Sequence, residues 1–134
     1  MARGLSELVL IVADVPRAAA FYREVVGLRP ETAPTDQWAW FWAGEPGTPQ
    51  RVALARGPLL FEEHSPSPAG SRFGRVRFAL EVDRAVLEGE VARVRRAGVT
   101  VYGPQRFEWM KAESWYFYDL DGNLVEFWSP DAPA

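Results

Sequence analysis

The sequence predicts an α+β fold in which one order of elements occurs twice. A strand pattern leads into a helix pattern that glycine ends at 7–27, and the same succession returns at 77–98. Further strand patterns follow each helix, and a Ser/Pro/Gly-rich stretch at 65–71 divides the chain near its middle. We therefore expect one domain of two βαβββ modules, at about 5–66 and about 73–130, with a linker at about 65–72.

Composition limits the classes of function. The chain has 134 residues, a net charge of −3, no cysteine and one histidine. The acidic balance does not favour nucleic acid as a partner, and neither a disulfide framework nor a thiolate site can form. No stretch is typical of a signal peptide or a membrane span. We expect a cytoplasmic protein that binds neither nucleic acid nor membranes.

The first half begins with a strand and a helix. Glu7–Val12 (ELVLIV) has the composition of a strand. Asp14 is suited to the N-cap of the following helix, and Gly27 to the residue that ends it. The strands predicted after this helix are Leu28–Thr32, Trp38–Trp42, Arg51–Ala55 and Leu59–His64.

The second half repeats this order. Arg77–Val82 is predicted as a strand, and Asp83 as the cap of a helix that Gly98 ends. The apolar face of that helix is predicted to be Val86, Leu87, Val91 and Val94. Val99–Tyr102 reads as a short strand and Gly103–Glu113 as a loop. The apolar residues of this loop (Trp109 and Met110, beside Lys111) indicate either a lid or an anchor to the core.

The hairpin Tyr116–Pro130 (YFYDLDGNLVEFWSP) contains a carboxylate whose burial needs a chemical explanation. Asp119–Asn123 suits a tight turn, because Gly and Asn tolerate positive φ. Glu126 then lies at the centre of an apolar strand. A carboxylate buried there without a partner would cost several kcal/mol, about the desolvation penalty of an unpaired ion. Glu126 therefore needs a metal ion, a cation, a hydrogen-bond donor or a proton.

The strand Trp38–Trp42 (WAWFW) alternates in type. Ala39 and Phe41 suit a face packed under a helix, which leaves the three tryptophans on the other face, toward a cavity or a partner subunit. Core packing and ligand stacking both remain open as explanations for these tryptophans and for Trp128.

Two motifs resemble those of the vicinal oxygen chelate superfamily. One is the DLDGN turn before a strand with a central Glu, and the other is FYREVVGL after the helix start DVPRA. This superfamily includes glyoxalase, bleomycin-resistance and extradiol-dioxygenase proteins. The Pro of the family's turn is Leu120 here. The resemblance implies paired βαβββ modules that curl around one cavity, with metal ligands from the opening and closing strands of each module.

Carried over by position, the four ligand places are Glu7, Glu62, Arg77 and Glu126. Glu62 is placed by overlaying Leu60–Pro66 on Leu124–Pro130, and its neighbour Glu63 competes for the place. A guanidinium has no lone pair to give, so Arg77 cannot ligate a cation. We expect Arg77 to replace the metal, with its guanidinium forked onto the carboxylate of Glu7 or Glu126. The alternative is one divalent ion held by three carboxylates (Glu7, Glu62 and Glu126).

The leading functional hypothesis is a metal-independent protein of the bleomycin-resistance kind that sequesters an aromatic or cationic small molecule. Its predicted ligand-binding residues are Glu7, Trp38, Trp40, Trp42, Glu62, Arg77, Tyr116, Glu126 and Trp128. The alternatives are a glyoxalase-like or dioxygenase-like metalloenzyme and a non-catalytic dimeric interaction domain. We expect a homodimer, because Arg51–Ala55 and the Trp strand carry more apolar sheet surface than one curled module can cover. His64 is interpreted either as a residue at the cavity rim or in solvent, or as part of a metal or proton-transfer site.

Overall fold

The structure of the protein is a computed structural model, which describes residues 1–59, 62–68 and 74–132. The chain forms two compact units, Met1–Arg75 and Val76–Ala134. The boundary between the two units lies close to the boundary predicted between the two modules. That the two units form one domain stays a prediction.

The first unit contains a four-stranded sheet in the order β1-β4-β3-β2. Its elements are β1 (Glu7–Ile11), α1 (Val15–Phe21), β2 (Arg29–Pro30), β3 (Trp38–Trp42) and β4 (Arg51–Ala55). The pair β1–β4 is parallel and the pairs β4–β3 and β3–β2 are antiparallel. A π-helical turn at Tyr22–Val26 continues α1.

Both predicted ends of the first helix are confirmed. The Asp14 carboxylate accepts a hydrogen bond from the backbone N–H of Arg17 at 3.1 Å, which caps α1. Gly27 ends the helical stretch with φ of 89°, a left-handed conformation that glycine adopts without a steric penalty. The buried rings of Tyr22 and Phe41 lie 6.2 Å apart and join the helical stretch to β3.

The second unit repeats this topology, with strand order β5-β8-β7-β6. Its elements are β5 (Arg77–Glu81), α2 (Arg84–Arg96), β6 (Tyr102–Phe107), β7 (Ala112–Tyr118) and β8 (Leu124–Pro130). The pair β5–β8 is parallel and the other two pairs are antiparallel. The α+β fold class and its paired βαβββ modules are therefore confirmed.

The core of the second unit lies between α2 and one face of its sheet. Leu87, Val91 and Val94 are buried on α2, and the rings of Phe117 and Phe127 meet edge to face at 5.1 Å in the sheet. The prediction that Val86 is buried is wrong, because its side chain is 52% exposed. A single sheet covers one stripe of a helix, and residue 86 lies about 100° around the helix from residue 87.

Two strand predictions are also wrong, at Val99–Tyr102, of which only Tyr102 lies in a strand (the first residue of β6), and at Glu62–His64. Glu62–His64 forms a 3₁₀ turn rather than part of a strand, while Leu60 and Phe61 lie outside the described residues. The linker prediction also falls partly outside them, at residues 69–73. The closing strand of the first unit is β4, which pairs with β1 as β8 pairs with β5.

The predicted loop Gly103–Glu113 is instead most of a hairpin, because β6 pairs antiparallel with β7. Its apolar residues Trp109 and Met110 lie in the tight turn of that hairpin, where Lys111 donates its backbone N–H to the Glu108 carbonyl at 3.2 Å. Trp109 is 82% exposed, so it does not anchor the turn to the core. Of the helices in the described ranges, none is long and apolar enough to span a bilayer.

Candidate functional site

The three tryptophans of β3 lie on the sheet face opposite to α1, as predicted. Each is partly exposed, whereas Ala39 and Phe41, which alternate with them, are buried. The rings of Trp38 and Trp40 are stacked, with centroids 5.7 Å apart and an angle of 8° between their planes. Such a pair presents a flat apolar surface that a planar group can extend.

A cleft of about 380 Å³ opens beside this stacked pair. Its lining residues are Glu7, Glu31, Thr32, Trp40 and Arg51. The Arg51 Nε donates to Glu31 Oε2 at 2.7 Å, and its guanidinium carbon lies 4.8 Å from the centre of the Trp42 ring. The charge of Arg51 is thus balanced inside the unit, and Glu7, at the exposed start of β1, adds a carboxylate to the cleft.

In the second unit Glu126 is buried and its two carboxylate oxygens have different partners. Oε2 accepts a hydrogen bond from the Ser114 hydroxyl at 2.5 Å, and Oε1 accepts one from Arg77 Nη2 at 3.1 Å. Only 10% of the Glu126 side chain is exposed, against 61% of the Arg77 side chain. Of the two predicted partners, Glu7 and Glu126, Arg77 contacts Glu126, through one guanidinium nitrogen rather than a fork.

The turn Asp119–Asn123 fixes the position of Arg77. Asp119 Oδ1 accepts the backbone N–H of Asn123 at 2.8 Å, and Asp119 Oδ2 accepts the Asn123 side-chain amide at 2.9 Å. The Asn123 Oδ1 in turn accepts the backbone N–H of Val76 at 3.0 Å. Val76 directly precedes Arg77, so the turn sets where β5 begins. The predicted role of these residues in turn formation is confirmed.

Arg77 also lies against Tyr116. Its guanidinium carbon is 5.2 Å from the centre of the Tyr116 ring, and Nη2 donates to the phenol oxygen at 3.4 Å. The hydrogen bond to Glu126 raises the pKa of Arg77 further above its ordinary value. The guanidinium therefore stays charged and is held between a carboxylate and an aromatic face.

Glu62 lies apart from the sheet of the first unit. Its carboxylate accepts the backbone N–H of Leu59 at 2.7 Å and so stabilises the 3₁₀ turn. The strand pairing contradicts the overlay that aligned Glu62 with Glu126. Glu7 pairs with Arg51 in β4 as Arg77 pairs with Leu124 in β8, so the residue equivalent to Glu126 is Ala53. Similar apolar residues in Leu60–Pro66 and Leu124–Pro130 produced a wrong register.

Comparison with known proteins places this fold in a family. A sequence model of the glyoxalase/bleomycin resistance protein/dioxygenase superfamily matches residues 4–127. The chain belongs to this superfamily. No curated protein matches its sequence.

Solved structures similar to this superfamily member cover nearly the whole chain. An integron cassette protein from the mobile metagenome of V. cholerae is 27% identical, with a TM-score of 0.72 and coverage of 98% of both chains. A lactoylglutathione lyase from Agrobacterium tumefaciens is 23% identical (TM-score 0.71, 96% of this chain and 94% of that one). An antibiotic-binding protein from Streptomyces sp. CB03234 is 24% identical (TM-score 0.70, 97% and 98%).

At the positions where the superfamily is expected to bind a metal ion, this protein has side chains that are unsuitable as ligands. With the register corrected, the four equivalent positions are Glu7, Ala53, Arg77 and Glu126. Alanine has no donor atom, a guanidinium has no lone pair, and both Glu126 oxygens already accept hydrogen bonds. Within residues 1–59, 62–68 and 74–132, no three His, Asp or Glu side chains form a group that could hold a metal ion. The residues present do not fit a divalent cation at these positions.

The remaining predicted residues divide between the two units. Trp38, Trp40, Trp42 and Glu7 share one face of the first sheet, and Arg77, Tyr116, Glu126 and Trp128 share one face of the second. Sequence reasoning missed Ser114, which lies opposite Trp128 in the β7–β8 pairing. Its signal was present, since Ser114 has the same strand parity as Tyr116 in AESWYFY. The exposed His64 lies 3.5 Å from the Glu63 carboxylate at the end of the 3₁₀ turn.

Proposed function

We propose that this protein binds and sequesters a small aromatic molecule, without a metal ion and without a catalytic step. The observation that carries the proposal is the stacked Trp38–Trp40 pair beside a cleft of about 380 Å³. Ligand pockets are lined mainly by aromatic and apolar groups, with a few polar groups that fix orientation. Here the indoles supply the flat surface, and the Glu7 carboxylate supplies the polar group.

The cleft suits a planar group that carries a positive charge. Each indole face attracts a cation by about 0.5–2 kcal/mol. The contact of Arg51 with Trp42 already uses this attraction inside the unit. A cationic ring stacked on Trp40 would have the Glu7 carboxylate in the same cleft as its balancing charge, since Glu31 already pairs with Arg51.

The fold alone does not decide between binding and catalysis. Proteins of similar fold include an antibiotic-binding protein and a lactoylglutathione lyase. The donor set favours binding, because Arg77 and Ala53 stand where a metal site would need lone pairs. The bleomycin-resistance kind of sequestration, in a cytoplasmic homodimer, is the form of this proposal that we favour.

The test is isothermal titration calorimetry with 1-methylquinolinium, a planar cation, and with quinoline as its uncharged counterpart. Trp40→Ala should weaken binding of the cation by about fivefold or more, as loss of one cation–π face predicts. Trp40→Phe should retain part of the affinity. Glu7→Gln should weaken binding of the cation more than that of quinoline, because it removes a charge and little volume.

Trp109→Ala is the matched control, since Trp109 is an exposed indole in the β6–β7 turn. It should leave both affinities unchanged. Equal losses in the Trp40 and Trp109 variants would contradict the proposal, as would the absence of binding at millimolar probe. If Trp40→Ala instead converts a dimer to a monomer in light scattering and no probe binds, the tryptophan face is a subunit interface.

A further inference from the structure

We propose that Arg77 recognises the carboxylate of an aromatic acid on the sheet face of the second unit. The inference goes beyond the proposed function, because it concerns a second site, in the other unit, whose ligand carries the opposite charge. It assigns to Arg77 the binding of an anion, whereas Glu126 serves to position the guanidinium. Each of these assignments has its own structural basis.

The guanidinium is held by one of its three nitrogens. Nη2 makes the contacts with Glu126 Oε1 and with the Tyr116 hydroxyl, at 3.1 and 3.4 Å. Within the part of the chain that the structure describes, neither Nε nor Nη1 donates a hydrogen bond to the protein. Arginine is a preferred partner of carboxylates because it offers several donors in one plane.

The direction of exposure favours an anion over a cation at this place. The Arg77 side chain is 61% exposed and the Glu126 side chain 10%, so an approaching ligand meets the guanidinium before the carboxylate. The other charged residue of β5 on this face is Glu81, four residues from Arg77 and therefore about 13 Å along the strand. Binding of an anion at Arg77 would thus meet little repulsion from Glu81.

Tyrosine rings next to Arg77 provide the aromatic part of the site. Tyr102 lies opposite Tyr116 in the β6–β7 pairing, and Tyr118 follows Tyr116 on the same face of β7. Tyr102 and Tyr118 are each 53% exposed, and their rings meet edge to face at 6.5 Å. Tyr118 lies two strands from Arg77, across Leu124, so the Cα atoms of Arg77 and Tyr118 are about 10 Å apart. A fused two-ring acid has about this length.

The experiment compares 2-naphthoate with 2-naphthamide, which share one ring system and differ in charge, by calorimetric titration of the full chain. The protein should bind the acid about tenfold more tightly, as one charge-assisted hydrogen-bonded contact predicts. Arg77→Gln should abolish this preference and leave the affinity for the amide nearly unchanged. Arg75→Gln removes the same charge from an exposed residue just before β5, and it should retain the preference.

A second variant guards against unfolding. The double change Arg77→Gln/Glu126→Gln leaves no unpaired buried charge, and it should also show no preference for the acid. Equal affinity of the unmodified protein for the acid and the amide would overturn the inference, as would an equal effect of Arg75→Gln and Arg77→Gln.

The outcomes separate this inference from the proposed function. If the acid preference depends on Arg77 and Trp40→Ala leaves the affinity for 2-naphthoate unchanged, the inference holds and the tryptophan cleft is a separate site. If the two compounds bind equally, or neither binds at millimolar concentration, the inference is refuted, while the titration with 1-methylquinolinium still tests the tryptophan cleft.

Discussion

The contact between Arg77 and Glu126 allows a double-mutant cycle whose size follows from the exposure of each partner. The single changes are Arg77→Met and Glu126→Gln, and the double change combines them. Arg77→Met leaves a carboxylate with 10% exposure and only the Ser114 hydroxyl as partner. Glu126→Gln leaves a guanidinium with 61% exposure, which water can solvate.

The two single changes should therefore differ in cost. Removing one partner of a fully buried ion pair costs about 3–5 kcal/mol, and exposed pairs contribute about 0–1 kcal/mol. Because Arg77 reaches solvent, we expect Arg77→Met to lower the free energy of unfolding by about 2 kcal/mol, within the range for an unsatisfied buried group. Glu126→Gln should cost about 1 kcal/mol, since the amide oxygen can still accept a hydrogen bond.

The coupling energy between the two positions tests whether the Arg77 and Glu126 side chains interact. The double variant should be more stable than the sum of the single changes predicts, by about 1 kcal/mol, as for residues in contact. Urea unfolding followed by tryptophan fluorescence measures each free energy. The same substitutions at Arg23 and Glu24 form the control, because that pair is joined at 2.8 Å with side chains 54% and 65% exposed. Coupling below about 0.3 kcal/mol between Arg77 and Glu126, or equally large coupling at the two pairs, would refute the reasoning.

Three further predictions concern pH, metal and assembly. Arg106 Nη1 and Nη2 donate to the two Asp131 oxygens at 2.6 and 2.8 Å and hold the pKa of Asp131 below its ordinary 3.8. The stability advantage of the unmodified protein over Asp131→Asn should therefore be full above about pH 5 and vanish as pH falls through the folded pKa; thermal unfolding across pH measures it, and a constant difference would contradict it. Elemental analysis of protein purified without chelators should find well under one equivalent of divalent metal, and Arg77→His should increase metal affinity; stoichiometric metal in the unmodified protein would refute the site assignment. Light scattering at micromolar concentration should show a homodimer in which the tryptophan cleft stays open to ligand, and β4 is not expected to form the interface because it is mostly buried within its unit; a monomer would count against this.

Local patterns predicted the faces of the strands well. The alternation of WAWFW placed Ala39 and Phe41 against the helical stretch, because side chains of a strand point to alternate faces. Glu126 was predicted to need a partner from its apolar neighbours alone, whereas Arg77 was identified from the resemblance to the superfamily's ligand positions. The strand faces and the need of Glu126 for a partner depend on residues within a few positions of each other or on a fixed period.

Long-range register could not be read in the same way. The sequence has two apolar candidates, Arg51–Ala55 and Leu59–His64, for the strand beside β1. Which one pairs depends on hydrogen bonds to residues some forty positions away, such as Glu7 with Arg51. A match of sequence letters selected the wrong candidate and so assigned Glu62 a place that Ala53 holds. The hydroxyl of Ser114 was missed for a related reason: its strand parity indicates the face on which it lies, but the β7–β8 pairing determines that it reaches Glu126.

The strand order of each unit also has a consequence for its synthesis. In the second unit β8 lies between β5 and β7, although it follows both in the chain. Until the ribosome has released β8, β5 has no neighbour in its sheet and Arg77 has no carboxylate to meet. A nascent chain that stops before Leu124 can form α2 and the β6–β7 hairpin but cannot close the sheet. Glu126 therefore leaves water in the same event that joins the first strand of the unit to the last.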